Sequence, residues 1–165
     1  MSFDTVSVIG LGYIGLPTAA AFAAARKRVI GIDVTASIVD TINRGEIHII
    51  EPELDTAVRA AVSGGFLRAS LRPEAADAFL IAVPTPFKND HEPDLSYIEA
   101  AAKSLAPVLR KGDLVVLEST SPVGATEQLA AWLAAARPDL SFPQAPASRP
   151  TSTSPTAPSA CCPGM

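Results

Sequence analysis

VIGLGYIGLP, residues 8–17, sets three glycines among apolar side chains directly behind a short run that reads as a strand. The glycines fall at Gly10, Gly12 and Gly15, the spacing G-x-G-x-x-G. Alone this spacing is a weak signal, because glycines also punctuate ordinary turns. Its surroundings decide the reading. Upstream, 6–9 is apolar and β-branched enough for a buried parallel strand. Downstream, 14–25 is alanine-rich and broken only by Pro17, which a helix accepts in its first turn. A second apolar run, 29–32, ends on Asp33, 18 residues after Gly15 and close to the roughly 20-residue separation expected of the acid in a dinucleotide fold.

Strand, glycine turn and helix together give each glycine a task. Gly10 lets the chain turn sharply, Gly12 removes a Cβ so that main chain can touch a pyrophosphate, and Gly15 lets the helix lie close on the strand. The free N–H groups and positive dipole end of that helix then face the phosphates. A carboxylate at Asp33 accepts hydrogen bonds from both ribose hydroxyls and repels a 2′-phosphate; Val34 follows it rather than an arginine, so NAD is expected in preference to NADP. Methyltransferases also pair a glycine turn with an acidic strand end, but with a different glycine pattern.

Bulk properties are compatible with this reading but do not demand it. At 165 residues and 48% hydrophobic, the chain suits one domain with a sizeable core. A net charge of -4 gives no reason to invoke nucleic acid or an anionic membrane as partner. The first strand begins within a few residues of Met1, and Asp4 stands where a signal peptide would carry positive charge, so no export signal is read. The most apolar stretch, LPTAAAFAAA, is stopped by Arg26, Lys27 and Arg28 and is too short to span a bilayer. A cytoplasmic location is expected. Cys161 and Cys162 are adjacent and supply no framework between distant segments.

Along the chain, strands and helices alternate. Helices are expected at 36–43 and 53–62, each ended by glycine, then at 95–109 and at 126–136 before Pro138; strands are expected at 66–69, 79–83 and 114–117. Such an order makes βαβ units and hence a doubly wound parallel sheet, whose ligands sit at the C-terminal strand ends. Two of those ends are chemically loaded. After the fourth strand, VPTPF stiffens the backbone with Pro84 and Pro86 and leaves the Thr85 hydroxyl as the hydrogen-bonding group. After the fifth, LESTSPVGATE gathers Glu118, Ser119, Thr120, Ser121 and Thr126 around a turn that starts a helix. Turn chemistry and helix capping compete as explanations, most strongly for Ser119 and Ser121. His48 and His91 each stand alone in expected loops, with no second ligand at metal spacing, so a solvated or structural role is expected and no metal site.

The segments VIGLGYIGLPTAAAFA, DTINRGEIHIIEPEL, GGFLRAS, LIAVPTPFK, HEPDLSYIEAAAKSLAPVLRKG and LESTSPVGATE resemble, in order, the N-terminal part of the UDP-glucose/UDP-mannose dehydrogenase family. The likeness runs from Met1 to about Gln144. It implies a Rossmann-type NAD-binding domain over 1–144, in proteins that oxidise the C6 alcohol of a UDP-sugar to a carboxylate with two NAD, for surface-polysaccharide synthesis. At matching positions it implies NAD contacts at Tyr13, Ile14, Asp33, Thr85 and Thr126, and a place for Thr120 near the reacting sugar carbon and its water. "VPTPF" and "LESTSPVG" argue against another Rossmann enzyme, such as a hydroxyacid dehydrogenase.

After Gln144 the text becomes APASRPTSTSPTAPSACCPGM, 145–165, whose composition reads as a disordered tail and departs from the family. Suitable synonymous codons for 147–165, read from the third base of each, spell QPADVDIAYCPERVLPGH, which resembles the family's next segment. The expectation is a frameshift near Gln144 that truncates a longer gene; sequencing the locus tests it, and no base change restoring that motif and an open frame would end it. The resemblance further implies that the cysteine capturing the aldehyde, its assisting lysine, the helix through which full-length members form homodimers and the UDP-binding domain are absent from this chain. Cys161 and Cys162 do not match that motif. A non-catalytic NAD-binding fragment is the alternative reading.

Overall fold

The computed structural model describes residues 2–88, 91–118 and 120–142. Ser119 and the 145–165 tail with Cys161 and Cys162 lie outside the described residues. Elements run β1 (Thr5–Ile9), α1 (Gly15–Ala24), β2 (Arg28–Ile32), α2 (Ala36–Asn43), α3 (Leu54–Ser63), β3 (Leu67–Ser70), β4 (Ala78–Ile81), α4 (Ser96–Leu105) with a short 3-10 turn (Ala106–Val108), β5 (Leu114–Leu117) and α5 (Ala125–Ala136). Among the described residues the strands form one sheet in the order β3-β2-β1-β4-β5, every pair parallel. The chain works outward from β1 to β3, then returns to β4 on β1's other side. This is the doubly wound, Rossmann-like order, and its reversal between β1 and β4 is where such sheets open a crevice.

Alternation along the strands splits the core in two. Val6 and Val8 of β1, Val29 of β2, Leu67 of β3 and Leu80 of β4 pack with Leu16, Ala19 and Ala23 of α1 and with Val58 of α3. Ile9, Ile30, Ile32, Phe79 and Ile81 point the other way, against Ile98 and Leu105 of α4 and Leu129 and Leu133 of α5. The inner strands β1, β2 and β4, buried on both faces, need such nearly continuous apolar runs, whereas on the edge strand β5 Leu114 and Val116 are exposed. Ser7 breaks the run: it is fully buried on the second face, beside Ile30 and Phe79, and its hydroxyl has no partner among the described residues.

Side chains close what the ladders leave open. Asn43, at the end of α2, pairs its amide with the outer edge of β3, donating to the Ala69 carbonyl at 3.0 Å and accepting from the Ala69 N–H at 2.8 Å. Asp77, just before β4, accepts from the N–H groups of Asp4 and Thr5 at 3.0 and 2.9 Å, and so ties down the entry to β1. Arg110 braces it at 3.4 Å while also donating to the Ala76 carbonyl at 2.8 Å.

Two elements differ from the sequence expectation by more than one residue at an end. The helix expected over 95–109 ends at Leu105 and tightens into the 3-10 turn, because Pro107 has no N–H to continue the ladder. The fourth strand starts one residue earlier and stops at Ile81, since Ala78 gains partners on both sides, Val6 and Leu114. Pairing overrides the poor strand preference of alanine there.

Candidate functional site

The C-terminal edge of the sheet carries a row of four residues, one step beyond the last rungs of β2, β1, β4 and β5: Asp33, Gly10, Ala82 and Glu118. The row is hydrogen-bonded across. Gly10 N–H donates to the Ile32 carbonyl, Ala82 N–H to that of Ile9 and Glu118 N–H to that of Ile81, each at 2.8 Å. An acid stands at either end, and between them are no side chain and a single methyl group.

That bare centre is what admits the start of α1. A Cβ on Gly15 would strike the Gly10 carbonyl oxygen and lie 3.3 Å from the Ala82 methyl. Gly10 itself takes φ +94, and a Cβ there would meet the Ala82 carbonyl oxygen at 2.7 Å. Gly12 is different in kind: a Cβ on it would meet nothing within 4 Å, so it would project into open space over the loop. Around it, the N–H groups of Gly12, Tyr13, Ile14 and Gly15 have no acceptor among the described residues, and Pro17 has none to offer. Four unpaired donors at a helix N-terminus form an anion seat. Within the same loop Leu11 is fully buried, its side chain filling the room over Gly31, where a Cβ would lie 2.8 Å from Leu11 Cδ2.

Asp33 is fixed by main chain. Its Oδ2 accepts from Leu11 N–H at 3.2 Å and its Oδ1 from Thr35 N–H at 2.9 Å, leaving each oxygen a second lone pair for a hydroxyl. At the opposite end, Thr18 of α1 donates its hydroxyl to Glu118 Oε1 at 2.9 Å, while Glu118 Oε2 is buried with no partner among the described residues. Thr85 donates to the Thr120 carbonyl at 3.0 Å and so joins the exits of β4 and β5.

Above this row lies a cleft of about 880 Å³. It runs from Val34, Leu71 and Pro73 past the glycine loop to Thr85, Glu118 and Thr120. Tyr13, Ile14, Val34, Leu71 and Tyr97 hold their apolar surfaces exposed at this cleft, between 47% and 93% accessible, which is the kind of lining that planar rings bury. The sequence reading missed one wall: Tyr97, Ala100, Ala101 and Ser104 of α4 face the cleft. Their spacing of three, four and seven residues was the available signal. Of the residues named from sequence, Gly10, Gly12, Tyr13, Ile14, Asp33, Thr85 and Thr120 line the cleft. Gly15 acts behind it, through packing. Thr126 stands exposed on the first turn of α5 and is not among the lining residues. His48 and His91 are exposed, the latter at φ +64, and neither lines the cleft. Among the described residues no group of three His, Cys, Asp or Glu gathers as a metal site.

A dinucleotide fits these residues: unpaired amides for a diphosphate, a carboxylate held ready for a ribose diol, apolar walls for two rings, and enough volume. Residues 4–149 match the family model described as the UDP-glucose/GDP-mannose dehydrogenase family, NAD binding domain. The chain belongs to this family. Its cofactor is NAD. Among curated relatives, the UDP-N-acetyl-D-mannosamine dehydrogenase of Yersinia pestis is 74% identical over 144 residues, 87% of this chain and 34% of the relative. The NDP-N-acetyl-D-galactosaminuronic acid dehydrogenase of Ralstonia nicotianae is 68% identical over 143 residues, again 87% and 34%. Among solved structures, UDP-D-ManNAc dehydrogenase from Pyrococcus horikoshii superposes with a TM-score of 0.77 at 42% identity, over 80% of this chain and 32% of that one. The chain thus spans about a third of the length of the curated relatives it matches. Among the described residues no helix is long and apolar enough to cross a membrane.

Proposed function

We propose that this chain is the cofactor-holding part of an NAD-dependent UDP-N-acetyl-D-mannosamine 6-dehydrogenase, which oxidises the C6 alcohol to the carboxylate with two NAD per turnover. The observation that carries this is the row from Asp33 across Gly10 and Ala82 to Glu118, roofed by unpaired loop amides, in a chain of this family. When bound, NAD supplies the hydride acceptor. Gly12, Tyr13, Ile14 and Gly15 offer N–H donors to the diphosphate, Gly10 gives the turn its room, and Asp33 takes the ribose hydroxyls. Thr85 contributes a further NAD contact from the cleft wall, and Thr120, at the exit of β5, stands near the reacting sugar carbon and its water; Thr126, outside the cleft lining, is retained as an NAD contact on the family resemblance alone. The sugar rests on relatedness to the mannosamine enzymes, since the 68% identical galactosaminuronic relative shares the same segment.

Hydride transfer needs cofactor and alcohol carbon clamped together, and the described residues provide the cofactor side. The chain alone therefore binds NAD weakly and has no dehydrogenase turnover, with 1–144 as the binding domain. Its setting is cytoplasmic, its small-molecule partner a UDP-sugar and not nucleic acid, and homodimers belong to the longer relatives. Calorimetric titration with NAD, followed by an assay for uronic acid formation from UDP-N-acetyl-D-mannosamine, tests both halves. NAD binding without turnover is expected. Turnover by this chain, or no heat of NAD binding, would refute the corresponding half.

A further inference from the structure

The lining of the cleft holds two charged side chains among the described residues, Asp33 and Glu118, and both are acids. Asp33 has main-chain donors on each oxygen and a ribose to meet. Glu118 has less. Thr18 satisfies Oε1 at 2.9 Å, Oε2 is shut away from water, and among the described residues it has no donor and the charge no ion pair. A carboxylate left in that condition is costly to the protein on its own account, which calls for a compensating group when the cleft is filled.

The register says which part of a dinucleotide comes near. Asp33 and Glu118 are three strand spacings apart across β1 and β4, about 14 Å at the usual inter-strand distance. With the ribose of adenosine on Asp33 and the diphosphate on the loop amides between, the nicotinamide ring falls at the Glu118 end. That ring is cationic when oxidised and neutral when reduced. We propose that Glu118 makes the nicotinamide end of the cleft selective for the oxidised cofactor, favouring NAD over NADH through its uncompensated negative charge. The proposal rests on the NAD-binding reading above. Its use would be turnover: a reaction that consumes two NAD must discharge NADH before the second oxidation.

The test is calorimetric titration of the full 165-residue chain with NAD, NADH and ADP-ribose, which lacks the nicotinamide. Wild type is expected to bind NAD about tenfold more tightly than NADH, the preference that one partly screened charge pair supplies. Glu118→Gln, which keeps the shape and the acceptor for Thr18, is expected to bring that ratio close to one while ADP-ribose affinity stays within twofold. Thr18→Val retains the charge and is expected to retain the ratio. Equal wild-type affinity for NAD and NADH, or an unchanged ratio in Glu118→Gln, overturns the proposal while leaving NAD binding intact. Failure of wild type to bind any of the three overturns the NAD-binding reading and this proposal with it.

Discussion

The N–H of Leu11, inside the glycine loop, donates to Oδ2 of Asp33 at 3.2 Å. The acid that meets the ribose thus also holds the loop that meets the diphosphate, and the two subsites are built on one side chain. Asp33→Asn puts an amide where two main-chain donors converge, so one of them loses its acceptor. The expected cost is about 1–2 kcal/mol of stability, read by urea unfolding. NAD affinity should fall about tenfold in the same variant, for a charged acceptor is lost to the ribose diol. In wild type, NADP should bind at least about tenfold more weakly than NAD, because its 2′-phosphate approaches a fixed carboxylate.

Two glycines of the loop should separate folding from binding. Gly12→Ala adds a methyl group that touches no protein atom within 4 Å, so stability should change by less than about 1 kcal/mol while NAD affinity drops at least about tenfold. Gly15→Ala drives a methyl group into the Gly10 carbonyl, which is backbone and cannot swing aside, and should cost about 3 kcal/mol or more. Thermal melts alongside NAD titrations distinguish the two. Comparable losses of stability in both variants would contradict these assignments.

Ser7 should be better replaced than kept. Its hydroxyl is buried between Ile30 and Phe79 without a partner among the described residues, and alanine removes the stranded polar atom at little loss of volume. Ser7→Ala is expected to stabilise the chain by about 1 kcal/mol. A lower unfolding midpoint would show that the hydroxyl finds a partner in solution.

Acid should loosen the start of β1. The N–H groups of Thr5 and Asp4, and then Arg110, hold the Asp77 carboxyl below its ordinary value. A folded-state value lower than the unfolded one contributes stability that is fully present above the unfolded value, near pH 4, and is lost as pH falls through the folded one. Melting midpoints of wild type and Asp77→Asn should therefore lie furthest apart above pH 5 and converge as pH approaches 2. A constant gap down to pH 2 would remove Asp77 from the acid response.

Much of this was legible in the sequence, for reasons that differ by residue. The glycine spacing and Asp33 were readable because their chemistry is local: a turn, a close approach and a strand end. The end of α4 was misplaced because an apolar pattern continues through Pro107, and only the missing N–H stops the helix. Asn43 gave no sign that it would cap β3, since that edge exists only after β2 and β3 pair. Glu118 was visible as one of a polar cluster, but its alignment with Asp33 depends on the register of β2, β1, β4 and β5 and cannot be read from any one segment.

Leu11 sits wholly inside the protein while Tyr13 and Ile14, two and three positions on, are 64% and 57% exposed. A leucine sealed against Gly31 anchors the phosphate loop by about 1.5–3 kcal/mol of apolar burial. The loop is therefore a floor and not a door: lifting it would pull a plug from the sheet. Cofactor arrives on a surface already shaped to receive it, so entry should proceed at the pace of encounter, without waiting for the main chain to rearrange.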